Sequence, residues 1–323
     1  MLARMLPLAS TLALALLALG AGPAQAYPDR PIRFIVPFPP GGSTDVIARA
    51  MQPQLEKVLG QSVVIENRPG AGGVLGVDAI AKSVPDGYTI GMGAAGALTI
   101  NVSLNEKMPF DPVKDLAPVS RVAESPFILA ATPAFKATSL ADAIALAKAA
   151  PAGLALGHGG NGTTMHLTAM LFNGMARLNL QLVPYRGTAP VVTDLVGGHI
   201  MLGIVDPPPS MAAIRAGQIK PLAVSSKQRF PTFPDVPTFH EQGLAGFETT
   251  GWFGIVVPAA TPADIVAKLN AAVVAALKQP DVAQRIRAVG MEPTPQTPAE
   301  FAAYIRDEIA KYVNVASDPN VRK

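Results

Sequence analysis

Short apolar runs alternate with amphipathic stretches along most of this chain, and that rhythm constrains its fold more than any other feature. Ile32–Phe38 (IRFIVPF) reads as a buried strand. Asp45–Leu59 follows with Val46, Ile47, Met51, Leu55, Val58 and Leu59 at helical spacing. Val63–Glu66 reads as a strand, Val74–Lys82 as a helix and Tyr88–Met92 as a third strand. A βαβαβ series of this kind predicts a parallel sheet with right-handed crossovers. The rhythm then repeats. Strands are expected at Phe127–Ala131, Leu154–Leu156, Gln181–Pro184, Met201–Val205 and Leu222–Ser225. Helices are expected at Ser139–Ala150, Thr164–Met175, Ala189–Val196 and Ser210–Ala216. Ser139 and Asp142 stand where a reciprocal N-terminal cap needs them.

The remainder differs. Pro231, Pro234 and Pro237 are three apart, which suits polyproline II or an ordered connection wrapped over a domain. Two long helices, Ala263–Lys278 and Ala299–Val313, need a sheet to cover. This order predicts two α/β domains, one of them discontinuous: residues 27–125 with 226–323, and residues 126–225 between them. Two crossing segments would then let a cleft hinge open and shut.

The N-terminus reads as an export signal. It has one charge, Arg4, an unbroken Leu/Ala run from Leu12 to Leu19, and the cleavage pattern Ala24-Gln25-Ala26. The apolar run is shorter than the roughly 20 residues of a membrane span. Cleavage after Ala26 leaves an expected soluble periplasmic protein. With no cysteine among 323 residues, thiolate metal sites, thiol nucleophiles and a lipid anchor are all excluded. A net charge of +3 is no nucleic-acid footprint.

The chemistry should lie in the turns. Phe38, Pro39, Pro40, Gly41 and Gly42 lead into Ser43, Thr44 and Asp45, where a helix begins. Uncapped amides there carry partial positive charge, so the turn is a carboxylate or phosphate site, or a tight turn with an N-cap. The glycine-rich turn at residues 66–76 lacks the third glycine of a dinucleotide fingerprint and the Gly-Lys-Ser/Thr of a P-loop. No cofactor is expected. In the second unit, amides near Gly160, Asn161 and Gly162, with the hydroxyls of Thr163 and Thr164, could face the first turn. His158 and His166 straddle this loop with no carboxylate nearby, so no metal is expected. His158 reads as a possible ligand contact and His166 as a capping or packing residue. Tyr185 either stacks on a ligand or packs. Arg186, beside Gly187, is a cation for an anionic ligand or a surface arginine. Asp206 either caps the next helix or accepts hydrogen bonds in the cleft. No serine-hydrolase or zinc-protease motif is found, so no enzyme is expected; a hydrolase built from noncontiguous residues is the rival from another class.

Several stretches together resemble the Bug family (Bordetella uptake gene products), periplasmic receptors of tripartite tricarboxylate transporters. They are Tyr27–Phe38 (YPDRPIRFIVPF), Pro40–Asp45 (PGGSTD), Val64–Gly73 (VIENRPGAGG), Pro85–Thr89, Asn161–Leu167, Pro184–Gly187, Asp194–Gly198 and Phe233–Thr238. The resemblance implies a type II periplasmic-binding-protein fold that closes like a Venus flytrap on a small organic carboxylate: a dicarboxylate, tricarboxylate, amino acid or aromatic acid. It implies that Pro40–Asp45 hold the carboxylate, with Asn161–Thr164, Tyr185–Gly187 and Asp206 opposite. It also implies delivery of the ligand to membrane permease subunits. A monomer is expected, and a receptor that signals to a sensor kinase is the alternative output. The chain departs from the family pattern at His158 and Gly159, in Gly197–Met201, where an acid is expected, and at Pro207, all on the side expected to set specificity.

Overall fold

The computed structural model describes residues 27–104, 107–150 and 153–316, so the export signal and its cleavage site lie outside the described residues. The strands are β1 (Ile32–Val36), β2 (Val63–Asn67), β3 (Thr89–Ala94), β4 (Leu116–Pro126), β5 (Ile128–Ala131), β6 (Ala155–His158), β7 (Gln181–Pro184), β8 (Leu202–Val205), β9 (Lys220–Val224), β10 (Thr250–Pro258) and β11 (Glu292–Pro293). The principal helices are α1 (Ser43–Leu59), α2 (Val74–Ala81), α3 (Leu140–Ala149), α4 (Thr164–Met175), α5 (Thr188–Val196), α6 (Pro207–Arg215), α7 (Ala263–Leu277), α8 (Pro280–Ala288) and α9 (Pro298–Ala316). A π-helical segment, Gly96–Ile100, follows β3.

The strands form two sheets. One has the order β11-β4-β10-β3-β1-β2 and the other β7-β6-β8-β5-β9. β1 pairs in parallel with β2 and β3, and β6 with β7 and β8, as the βα rhythm predicts. The sheets are not wholly parallel, however. β10 runs antiparallel to β3 and β4, and β5 antiparallel to β8 and β9. The reason is topological. β5 and β10 each follow a crossing between the sheets, so they start at the cleft, where the neighbouring βα strands end.

Helices cover both faces of each sheet, so most strand residues are buried on both sides. Phe34, Ile90 and Ile255 pack under Met51 and Leu55 of α1 and Val273 of α7. On the opposite face Ile35 and Val256 meet Val77 and Ile80 of α2 and Phe301 and Ile305 of α9. α1 turns its buried side, Ile47, Met51, Leu55 and Leu59, to the sheet and stops at Gly60. Gly60 adopts φ 70°, a left-handed cap whose N–H reaches Glu56 O. At α3, Ser139 Oγ accepts from Asp142 N (3.1 Å) and Asp142 accepts from Ser139 N (3.0 Å), the reciprocal cap expected from sequence.

Residues 226–249, which the sequence reading joined to the first unit, pack on the second sheet. Phe239 and Phe247 are stacked at 4.2 Å within its core, and Phe230 and Phe233 are buried on its other face. Thr238 makes a parallel bridge to Val224. The return to the first sheet therefore falls at Thr249–Thr250. The two crossings are stitched together there: Phe127 N donates to Ser225 Oγ (2.8 Å), Ser225 Oγ donates to Thr249 O (2.6 Å), and Thr249 N donates to Ser225 O (2.9 Å).

Candidate functional site

Between the sheets lies a cavity of about 70 Å³, room for about five waters or a small acid. One wall belongs to the first sheet and its connections. Phe38, Pro40, Gly42, Ser43 and Thr44 contribute, and so do Pro39, Gly72, Ala94–Gly96 and Gly251–Phe253. The other wall holds Phe127, Thr163–Met165, Arg186–Ala189 and Asp206.

The first wall is organised by the start of α1. Its N-cap, Gly42, has extended geometry and no side chain, so no hydroxyl or carboxylate occupies the first-turn amides. Ser43 and Thr44 are buried at that turn, and Thr44 Oγ1 has no hydrogen-bond partner within the protein. Asp45 shares the turn but faces elsewhere. It accepts from Gly41 N (3.0 Å), Asn67 Nδ2 (3.0 Å) and Arg49 Nε (2.8 Å). Burial pushes its carboxyl up, but bonds from Arg49, Gly41 and Asn67 outweigh that and hold it below the usual carboxylate range. Asp45 and Gly41 therefore brace the loop instead of lining the cavity, and the Asp45 charge is compensated. Asn67 Nδ2 also donates to Phe38 O (2.9 Å), which fixes the Phe38 end.

The second wall carries two more helix starts. At α4, Thr163 Oγ1 accepts from His166 N (3.2 Å) and donates to Gly160 O (2.6 Å), leaving Thr164 on the cavity. At α5, the N-cap Gly187 has φ 97° and no capping side chain. Arg186 is exposed at the rim. α6 is different: Pro207, Pro208 and Pro209 remove its first three amide donors, so this end offers no N–H groups to an anion. Asp206 ends β8 here with 6 % exposure. Its Oδ2 accepts from Ser43 Oγ of the facing wall, while Oδ1 has no partner. Burial raises its pKa, opposed by the Ser43 and Thr188 hydroxyls.

The remaining residues singled out from sequence lie around this cavity. Gly160, Asn161 and Tyr185 border an outer groove that shares Phe38, Gly72, Arg186 and Gly187 with it. Tyr185 is held by its hydroxyl, which donates to Asp194 Oδ2 (2.6 Å); burial and that carboxylate push its pKa up to about 12. Gly162 O accepts from Asn101 Nδ2 (2.9 Å) of the first unit. This contact is close because glycine permits it: a Cβ on Gly96 would meet Gly162 O at 2.8 Å, and one on Gly72 would meet Asn161 O at 2.6 Å. His158 is fully buried behind the wall and stacks on His166 at 4.7 Å. Their Nδ1 atoms accept from Gly160 N (3.3 Å) and Gly162 N (3.3 Å), so the pair props the loop from beneath. Among the described residues, no cluster of three or more His, Cys, Asp or Glu could hold a metal ion.

The chain matches the family model described as "Tripartite tricarboxylate transporter family receptor" over residues 47–320. It belongs to that family. Among curated relatives, BugT of Bordetella pertussis is 39 % identical over 300 residues, covering 93 % of this chain and 92 % of BugT. Among solved structures, an R. palustris protein with adipate is 36 % identical, with a TM-score of 0.87, covering 92 % of this chain and 98 % of that one. MatC from Rhodopseudomonas palustris, with bound malate, is 35 % identical with a TM-score of 0.85, covering 90 % and 100 %. The family and its fold, two α/β domains, are those of periplasmic solute-binding proteins and not of enzymes. Among the described residues, no helix is long and apolar enough to cross a membrane.

Sequence reasoning missed the back of the cavity. Ala94–Gly96 lie at the end of β3, Phe127 at one crossing and Gly251–Phe253 in β10 just past the other, where no motif marks them. Trp252, the chain's sole tryptophan, had one available signal: a large aromatic flanked by Gly251 and Gly254. Its Nε1 donates to Glu308 Oε2 (3.0 Å), and Phe301 and Tyr304 pack edge-on against its ring.

Proposed function

We propose that this protein is a periplasmic receptor that captures a small organic carboxylate by domain closure and delivers it to the permease subunits of a tripartite transporter. The observation that carries this reading is the start of α1: uncapped amides and the unpartnered Thr44 hydroxyl open onto a cavity whose far wall holds the starts of α4 and α5. Charge-assisted hydrogen bonds contribute about 1.5–3 kcal/mol each. Three or four cover most of the about 8 kcal/mol of a micromolar complex. Adipate and malate in the related structures support a carboxylate.

In this reading Gly42, Ser43 and Thr44 hold the carboxylate, and Thr163, Thr164, Arg186, Gly187 and Asp206 complete the site on closure. Gly160, Asn161 and Tyr185 shape its mouth. The first domain comprises the residues before Phe127 and after Thr249, and the second lies between them. Processing after Ala26 releases a monomer.

The test is a carboxylate panel, read by thermal shift and calorimetry on purified protein stripped of bound ligand. At least one acid raises the melting temperature, and Gly42→Val, which places two methyl groups at the cradle, abolishes the effect. A panel with no stabilising acid defeats the proposal.

A further inference from the structure

The Asp206 carboxyl is the one acidic group on the cavity wall, and its two oxygens differ. Oδ2 is engaged by Ser43 Oγ, from the helix start that holds the carboxylate in the reading above. Oδ1 is buried and unpartnered. The usual donors for such an oxygen are missing. Asp206 is the N-cap of α6, yet its side chain makes no cap hydrogen bond, because residues 207–209 are prolines without N–H groups. The Thr188 hydroxyl lies beside the carboxyl and favours its charged form, but its proton is directed to Met165 Sδ (3.1 Å), so it does not satisfy Oδ1. A buried acceptor left unsatisfied is costly, so a closed site of this design calls for a donor from outside the chain.

We infer that Asp206 Oδ1 is a specificity element: it accepts a hydrogen bond from a hydroxyl or amino group of the ligand, so the receptor takes donor-bearing acids in preference to simple ones. Ser43 sets the geometry. It ties Asp206 to the carboxylate cradle, so the donor must lie close to the bound carboxylate, on the adjacent one or two carbons. A hydroxy acid and an amino acid share this chemistry. The aromatic side of the cavity, Phe38, Phe127, Trp252 and Phe253, takes the rest of the ligand. A site built to bond a hydroxyl rejects the analogue lacking it far more strongly than an apolar pocket rejects one methylene.

This inference rests on the carboxylate reading, and the experiment separates the two. Succinate, malate and aspartate form one calorimetric series on ligand-stripped protein; propionate, lactate and alanine form a second, with a single carboxylate. Wild type should prefer the hydroxy or amino member of a series over its simple parent by at least about tenfold, a difference of about 1.4 kcal/mol. Malate against aspartate, and lactate against alanine, tell hydroxyl from amine. Asp206→Ala should bring the preference to within about twofold. A ratio is read within one protein, so partial loss of fold does not imitate the result, and Asp206→Leu serves as a second variant. Equal binding of the simple and donor-bearing acids overturns the inference while leaving the carboxylate receptor standing. So does a preference that survives in both variants. If no acid of any series binds, the carboxylate reading falls and takes this inference with it.

Discussion

Ser43 Oγ, in the first turn of α1, donates a hydrogen bond to Asp206 Oδ2 at the end of β8, so a single bond spans the two walls of the cavity. Ser43→Ala removes the donor and leaves Oδ2 of a buried carboxyl unsatisfied, but only while the walls are together. The cost of about 1–3 kcal/mol therefore falls on closure and not on folding. Affinity for the ligand should drop roughly fivefold to a hundredfold by calorimetry, with the ligand-free melting temperature nearly unchanged. A lowered melting temperature with unaltered affinity would make the bond structural.

Gly96→Ala tests closure from the opposite side. Its Cβ would meet Gly162 O at 2.8 Å and Thr163 Cα at 2.9 Å, both backbone atoms of the other unit. The position lies in a helical segment where alanine is conformationally acceptable, so the only conflict is across the cleft. We expect a larger radius of gyration in X-ray scattering with ligand present, and affinity reduced by about tenfold or more. A compact, fully binding variant would show that the loop at Gly162 yields.

The stacked histidines predict acid sensitivity. Burial, then the charge of His166, lowers the pKa of His158 to about 4 from an ordinary 6.5. The folded state thus binds fewer protons than the unfolded chain between those values. Its contribution is fully present above pH 6.5 and is lost as pH falls toward 4, amounting to about 3 kcal/mol at the lower end. Thermal melts from pH 7 to pH 4 should decline along this range. His158→Asn keeps an acceptor for Gly160 N without titrating, so its decline should be shallower.

Trp252 gives a built-in reporter. It is the sole tryptophan, lines the cavity and is held by Glu308. Ligand binding should shift its emission. Trp252→Phe should abolish that signal and cost about 1–3 kcal/mol in stability, because buried Glu308 loses its indole donor. Denaturant melts measure the second effect.

How much of this was legible beforehand follows from where each signal resides. The βα repeats were plain, because a strand buried on both faces is an apolar run and its covering helix carries a 3.6-residue period. The turns at Gly42–Asp45 and Asn161–Thr164 were legible too, since glycine and hydroxyl residues mark a helix start. β4 was hidden: its sequence LAPVSRVAESP carries Pro118, Arg121 and Glu124 inside a strand. Pro118 is accommodated beside a register shift against β10, at Val256. α8 was hidden as well, being short and highly charged. The home of residues 226–249 depends on what Phe239 and Phe247 touch, and period alone carries no such information. For the same reason the back of the cavity, made by strands meeting at a crossing, was invisible.

The knot of Phe127, Ser225 and Thr249 has a consequence for thermodynamics. β4 ends at Pro126 and β5 begins at Ile128, so one residue joins the sheets there, and the second crossing is bonded to it. Such a tether confines the far wall to a short hinged arc. A ligand resting on α1 meets that wall at an effective local concentration on the order of millimolar or more, as in any short-linked bivalent system. Each wall can then bind weakly by itself and release readily, while the two together retain the ligand.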